Sequence, residues 1–351
     1  MPTASSRTTA SRSSWPGPEL QALAEAALAL ARRAPSGRIA LARTEEIFGR
    51  TTVHEPLDAT TVQRATRRLD DVDPEPLAVR AAAQTHRGVV DGRPVAIRIR
   101  RPGLERMARN DLALLDALAL PLSAALPRVD AAVLLRSARE QLLDELDFEH
   151  EASMHRRIAR ILRDVDGLVV PSVHSDLCDE DVFVADLLDT GRAKPKDAAR
   201  VLVAAHVAAA RAGFALLDSR PGHVLGLADG RLGLLGAGVA RPVGRDRVTL
   251  LLDALAALRA DDEAAFASAT RDVVGPDAYR VAQSALGSLV HGEARLDEPS
   301  LRRAASALAL ANQANPHPDD LHLARAAAQL VATLAQVDPT ADWGALVAAS
   351  S

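Results

Sequence analysis

Gly236, Ala237 and Gly238 follow an apolar run in the stretch RLGLLGAGVARPVG, residues 231–244. Glycines placed this way after a strand can cradle a phosphate on backbone N–H groups. A dinucleotide fingerprint also needs a third glycine five residues after the first, and a helix that opens at once. Arg241 stands at that position, and Pro242 and Gly244 describe an irregular loop instead. Three other residues carry charges suited to phosphate chemistry by another route. Arg98 lies in VAIRIRRPG, Glu151 in ELDFEHEA and Asp218 in GFALLDSRPGHV. A cation to hold phosphates, a carboxylate to hold the cation and an aspartate to accept a proton are the groups that phosphoryl transfer uses.

The elements that must position them can be read from pattern. VVDGRPVAIRIRRPG has the Asp-Gly of a tight hairpin turn followed by alternation. Val95, Ile97 and Ile99 then share one strand face, with Ala96, Arg98 and Arg100 on the other. A tail over 1–17 is expected to be disordered, the alternative for a segment so rich in Ser, Thr and Arg being a transit peptide. Residues 18–76 read as a helical extension, with helices over 20–33, 41–49 and 58–68; Asp58 caps the last, and DDVDPEP is a linker. Residues 77–189 form a small strand-containing lobe: the hairpin, helical patterns over 104–126 and 131–164, and the strands GLVVPSV and DVFVADLL. Residues 190–351 form a helical lobe interrupted by a second hairpin in VLGLADGRLGLLGAG.

Composition excludes several classes. The net charge of −4 does not suit a nucleic-acid binder. The single cysteine, Cys178, rules out an intramolecular disulfide framework and fits a cytoplasmic chain. No uncharged apolar run reaches membrane-spanning length. A peripheral membrane contact through the Ala/Leu-rich helix over 20–33 stays open, although its basic residues sit at one end only. Aromatics are 2 % of the chain, so Ala and Leu fill the core. HPDDLH, with His317, Asp319, Asp320 and His322, lacks HExxH spacing and reads as a helix start. Arg93, Arg98, Arg100, Arg101, Arg106 and Arg109 form a basic run that suits either a solvated face or an anionic headgroup.

Strand cation, helix glutamate, inter-lobe segment, Asp-bearing loop and glycine loop follow one another as in protein kinases. The sequence resembles the AarF/UbiB family of atypical kinase-like proteins, tied to coenzyme Q and other lipid metabolism. EPLAVRAAAQTHRGVVDGRPVAIRIRRPG looks like that family's alanine-rich loop and Val-Ala-Val-Lys strand, with Gln84 in the loop. ELDFEHEA is similar to its Glu-x-Asp motif with the helix glutamate, here Glu145, Asp147 and Glu151. PDDLHLARAAAQLVATLAQVDPTAD looks like its C-terminal signature, with Arg325 and Asp338. The resemblance implies a two-lobed α+β kinase-like fold, and a nucleotide cleft at Arg98, Glu151 and Gln84.

The departures from the family pattern bear on function. Arg98 replaces the strand lysine. LLDSRPGH, residues 216–223, stands where the family has His-Ala-Asp-Pro-His-Pro-Gly-Asn, so Asp218 keeps the base position and His223 takes that of the metal-holding Asn. Gly236 takes the place of the metal aspartate, and the family's Lys-x-Gly-Gln motif is absent from ALARTEEIFGR. Magnesium prefers hard oxygen ligands, which Gly236 and His223 do not offer. Arginine keeps the lysine's charge but holds it in a rigid fork, suited to a bidentate pair with Glu151. Asp218 also suits a plain turn residue. Asp147 and Glu151, four apart, would repel unless a cation such as Arg98 lay between them. The expectation is a pseudoenzyme without confident cofactors, acting by binding a protein partner or a lipid or small molecule. The alternative is a divergent active ATPase or kinase using ATP and Mg²⁺, its metal held by Glu145, Asp147 or Glu151.

Overall fold

Asp58 opens α1 (Ala59–Ala65) by accepting the Thr61 amide at 2.9 Å, as the computed structural model of the chain shows. The structure describes residues 54–69, 71–104, 146–191, 195–270, 277–297 and 318–350, with isolated positions 106, 136, 143 and 300. The expected tail, the helices over 20–33 and 41–49, that over 104–126 apart from residues 104 and 106, and Glu145 lie outside these residues.

Three strands follow α1: β1 (Asp71–Val79), β2 (Ala83–Val90) and β3 (Arg93–Arg100). After them come α2 (Phe148–Ile161), β4 (Leu168–Val169) and β5 (Val182–Asp186). The first sheet runs β1-β2-β3-β5 and is antiparallel throughout. Asp91 and Gly92 take φ of 49° and 75°, the pair of positive angles that a two-residue hairpin turn requires. Alternation then sorts the faces. Val95, Ile97 and Ile99 pack with Val62, Val182 and Val184 on the α1 side. Ala83, Phe183 and Ala185 meet Phe148 and Ala152 on the α2 side.

Two expectations for this half are corrected. DDVDPEP is not a linker: from Asp71 it is part of β1, so the sheet begins inside the expected helical extension. The strand tolerates Pro74 and Pro76 because it is an edge strand with two register shifts against β2. Of the strand expected in GLVVPSV, only β4 forms, and it pairs in parallel with a strand of the second lobe.

The second lobe runs α3 (Ala198–Arg211), β6 (Phe214–Leu216), a 3-10 turn at Pro221–His223, β7 (Val224–Gly226), β8 (Leu232–Leu234), a second 3-10 turn at Gly236–Gly238, and β9 (Ala240–Pro242). Then follow α4 (Arg245–Arg259), α5 (Glu263–Thr270), α6 (Ala278–Val290), α7 (Pro318–Val337) and α8 (Trp343–Ser350). The expected second hairpin is β7–β8, with Leu225 opposite Gly233. Helix α3 is apolar almost all round, and Val201, Leu202, Val203, Ala205 and Ala209 are buried in the main core. A helix of that kind has to be surrounded, and α7, α8 and β6 pack on it. This arrangement is the expected α+β architecture.

Candidate functional site: a closed interlobe cleft

Arg98 lies mid-strand, opposite Thr85 on β2 and Phe183 on β5, and points to the α2 side of the sheet. Its guanidinium carbon is 4.3 Å from the Phe148 ring centroid and 4.7 Å from that of Phe183, so two of the chain's five phenylalanines enclose it. Its Nη2 donates to Oε2 of Glu151, whose side chain is only 4 % exposed. The predicted pair is therefore present, but through one nitrogen rather than two. The two rings stand edge to face, 6.4 Å apart at 76°, and the guanidinium sits in the corner they form, with Nε facing the protein without a partner. Asp147 does not share the cation. It is the N-cap of α2 and accepts the His150 amide at 3.0 Å.

Gln84 is a second correction. It pairs with Ile99, one register step from Arg98, and so belongs to the opposite face of the sheet. It is 1 % exposed, and its carboxamide accepts from the Leu57 amide at 2.7 Å and lies 2.8 Å from His86 Nε2. Its role is to fasten the segment ahead of α1 to the sheet, away from Arg98. Of the basic run, Arg98, Arg100 and Arg101 are engaged within the protein, Arg93 and Arg106 are exposed, and Arg109 lies outside the described residues. Arg100 binds Asp181 and the Leu146 carbonyl, and Arg101 binds the Arg80 and Glu55 carbonyls.

Asp218 follows β6 in the loop before the first 3-10 turn. Its Oδ1 is 3.2 Å from Arg220 Nε, and its Oδ2 is 3.2 Å from His223 Nδ1. Arg220 Nη2 lies 2.8 Å from His223 Nε2. A guanidinium can only donate, so Nε2 accepts and Nδ1 carries the ring proton toward Asp218. All three side chains are between 11 % and 17 % exposed. Arg220 and His223, neighbours in the same loop, thus border both carboxylate oxygens of Asp218, and His223 Nδ1 is equally close, at 3.2 Å, to the Asp218 carbonyl oxygen.

The glycine turn closes the gap between these two clusters. A Cβ added at Gly236 would overlap the carbonyl oxygen of Asp218 and stand 3.0 Å from His223 Nδ1. A Cβ at Gly238 would come within 2.5 Å of Glu151 Cγ and 2.7 Å of the Glu151 carbonyl oxygen. The turn fits only because it carries no side chains at its ends, and it packs directly on α2. Among the described residues no group of three or more His, Cys, Asp or Glu side chains could hold a metal ion. The residues around Asp218 do not fit magnesium: Gly236 has no room for a side chain, and the His223 ring turns an N–H toward Asp218.

Ser219, next to Asp218, is 1 % exposed and held from two helices. Its hydroxyl is 2.9 Å from His206 Nε2 on α3. Its amide donates to Gln329 Oε1 at 3.1 Å, and its carbonyl accepts from Thr333 Oγ1 at 2.7 Å, both on α7. Arg325, on the same helix, donates to the Leu217 carbonyl at 3.4 Å. Only Arg325 of this set was singled out from sequence. The four-residue spacing of Arg325, Gln329 and Thr333, polar positions in an apolar helix, was the available signal. Asp319 and Asp320 of HPDDLH anchor α7 to the start of α4, through the Gly244 amide and Arg247. That is the helix-start reading, and His317 lies outside the described residues.

Burial holds the His206 imidazole down, to about 4 from an ordinary 6.5. The unfolded chain therefore takes up this proton at a higher pH than the folded one. Stability is fully present above the unfolded value and is lost as pH falls from about 6.5 to about 4, by about 3 kcal/mol. Urea midpoints across that range are expected to fall steeply for the wild type. His206→Gln, which keeps a polar group near Ser219 but does not titrate, is expected to flatten that part of the curve.

A four-stranded antiparallel sheet with one covering helix, joined by a short segment to a helical lobe whose Asp-bearing loop and hairpin face it, is the design of a two-lobed kinase-like protein. The profile of the ABC1 atypical kinase-like domain matches residues 46–270, and the chain belongs to that family. AarF domain-containing protein kinase 1 of Mus musculus is 31 % identical over 121 residues, 34 % of this chain and 23 % of that protein. The probable protein kinase UbiB of Vibrio cholerae serotype O1 is 33 % identical over 123 residues, again 34 % and 23 %. The matched stretch thus spans about a quarter of these relatives. The Rv3197–erythromycin complex from Mycobacterium tuberculosis shares the fold, with a TM-score of 0.61 at 19 % identity over 92 % of this chain and 89 % of that one. No helix among the described residues is long and apolar enough to cross a membrane.

Proposed function

We propose that this chain is a kinase-shaped pseudoenzyme that acts by binding or regulation rather than by metal-dependent phosphotransfer. The observation that carries the reading is the contact of Gly236 with the Asp218 carbonyl and the His223 ring. Phosphoryl transfer depends on divalent ions bridging the phosphates, and here protein atoms occupy the space a metal-holding side chain needs. The engagement of Asp218 with Arg220 and His223 supports the same reading, because a base must have a free lone pair aimed at its substrate. The family resemblance points to lipid or quinone metabolism as the setting, with a protein partner or a lipid or small-molecule ligand as the thing bound.

The test is thermal unfolding with ATP, with and without Mg²⁺ or Mn²⁺, alongside an ATP hydrolysis assay. The expected result is no metal-dependent stabilisation and no turnover, since a ligand shifts unfolding only in proportion to its binding. Turnover that disappears in Asp218→Ala would restore the reading of a divergent active enzyme.

A further inference from the structure

We infer that α7 is the positioning helix of the cleft: Arg325, Gln329 and Thr333 set the conformation of the Asp218 loop by gripping its main chain. These residues recur every fourth position, so they form one stripe along the helix. All three reach main-chain atoms within three consecutive residues, the Leu217 carbonyl, the Ser219 amide and the Ser219 carbonyl. The loop lies between β6, which among the described residues pairs with β9 alone, and the Pro221–His223 turn. A buried backbone amide or carbonyl must be paired, and at Ser219 side chains of α7 do what a neighbouring strand would do elsewhere. His206 adds a fourth tie from α3 through the Ser219 hydroxyl.

The grip gives α7 control over Asp218. Helix α7 ties the carbonyl of the peptide before Asp218 and the amide of the peptide after it, so the carboxylate's direction toward Arg220 and His223 follows from where α7 sits. Helix α7 itself is placed by ties outside the cleft, Asp319 to the Gly244 amide and Asp320 to Arg247. It begins at Pro318, beyond the stretch 46–270 that matches the kinase-like domain. A segment outside that match thus sets the state of the loop inside it. This holds whether or not the cleft turns over a nucleotide.

The test is hydrogen exchange on the intact chain, read segment by segment, together with the His223 ring signals by NMR. Thr333→Val keeps shape and removes the hydroxyl; Gln329→Leu removes the acceptor. Each is expected to speed exchange over 218–223 by about tenfold, the size of one lost hydrogen bond, and to move the His223 signals. Exchange in α3 and in the core of α7 is expected to stay within about twofold. Thr333→Ser restores the hydroxyl and is expected to restore slow exchange. Arg259→Met, which cuts the pair between α4 and Asp342 ahead of α8 and leaves the ties of α7 in place, serves as the control for general destabilisation. If Gln329→Leu fails to fold, the Thr333→Val and Thr333→Ser pair decides the question alone. Unchanged exchange over 218–223, or an increase spread evenly through the chain as in the control, would overturn the inference.

Discussion

Gly236→Asp, which writes the family's metal aspartate back into the glycine turn, is expected to destabilise the protein by about 3 kcal/mol or more. It is also expected to restore neither metal nor nucleotide binding. The first carbon of any side chain at this position meets the Asp218 carbonyl, and main chain cannot swing aside as the end of a long side chain can. The added carboxylate would also arrive beside Asp218, which already has Arg220 as its cationic neighbour. The loop or the turn must move, and both are buried. Urea unfolding gives the stability, and calorimetry with Mg-ATP gives the binding. A variant as stable as the wild type that binds Mg-ATP would show that the turn had closed for some reason other than the missing side chain.

Arg98→Ala is the second substitution expected to have a large effect, a loss of about 3–5 kcal/mol. It strands the Glu151 carboxylate, 4 % exposed, without its cation, and it empties the space between the Phe148 and Phe183 rings. Both consequences act at one place, so the cost exceeds that of cutting an exposed pair such as Arg280–Asp277. Arg98→Lys is expected to recover only part of the loss, because a compact ammonium does not fill the corner formed by the two rings as a planar guanidinium does. The double substitution Arg98→Met with Glu151→Leu removes the stranded charge and is expected to be more stable than Arg98→Ala alone. Denaturation curves of the three variants measure this. An Arg98→Ala protein within about 1 kcal/mol of the wild type would mean that the pair is incidental to folding.

Much of the scaffold was legible because it is written locally. Asp91-Gly92 and the alternation after it gave the β2–β3 hairpin, the buried face of β3, and the direction of Arg98 toward the α2 side. Asp58 gave the cap of α1. The pairing of Arg98 with Glu151 followed from charge and from the motif in which Glu151 stands. What escaped depends on contacts between distant segments. The two prolines of β1 read as a linker because sequence alone does not show that the strand is an edge. Gln84 was assigned to the cleft from its motif, although the parity of the hairpin register already put it opposite Ile99 and away from Arg98. Asp147 read as a partner for Arg98 because spacing puts it near Glu151, whereas its position at the helix start makes it a cap. Least legible was the closure at Gly236. The resemblance implied a missing aspartate there, but only folding could show that the Asp218 carbonyl takes up the space a side chain would need.

The parallel pairing of Leu168 and Val169 with Leu232 and Gly233 has a consequence for any attempt to divide the chain. A boundary drawn in the connecting segment near Gly191 would cut through a woven seam, since Ala228 bonds to Asp189 and Gly191 to Gly226 across it. A fragment ending there would carry off the outer strand of the β7–β8 sheet and leave β8 with a bare edge, the feature that drives sticky self-association. Truncation at the apparent waist is therefore expected to yield self-associating fragments rather than autonomous modules, which size-exclusion chromatography of residues 1–191 would check.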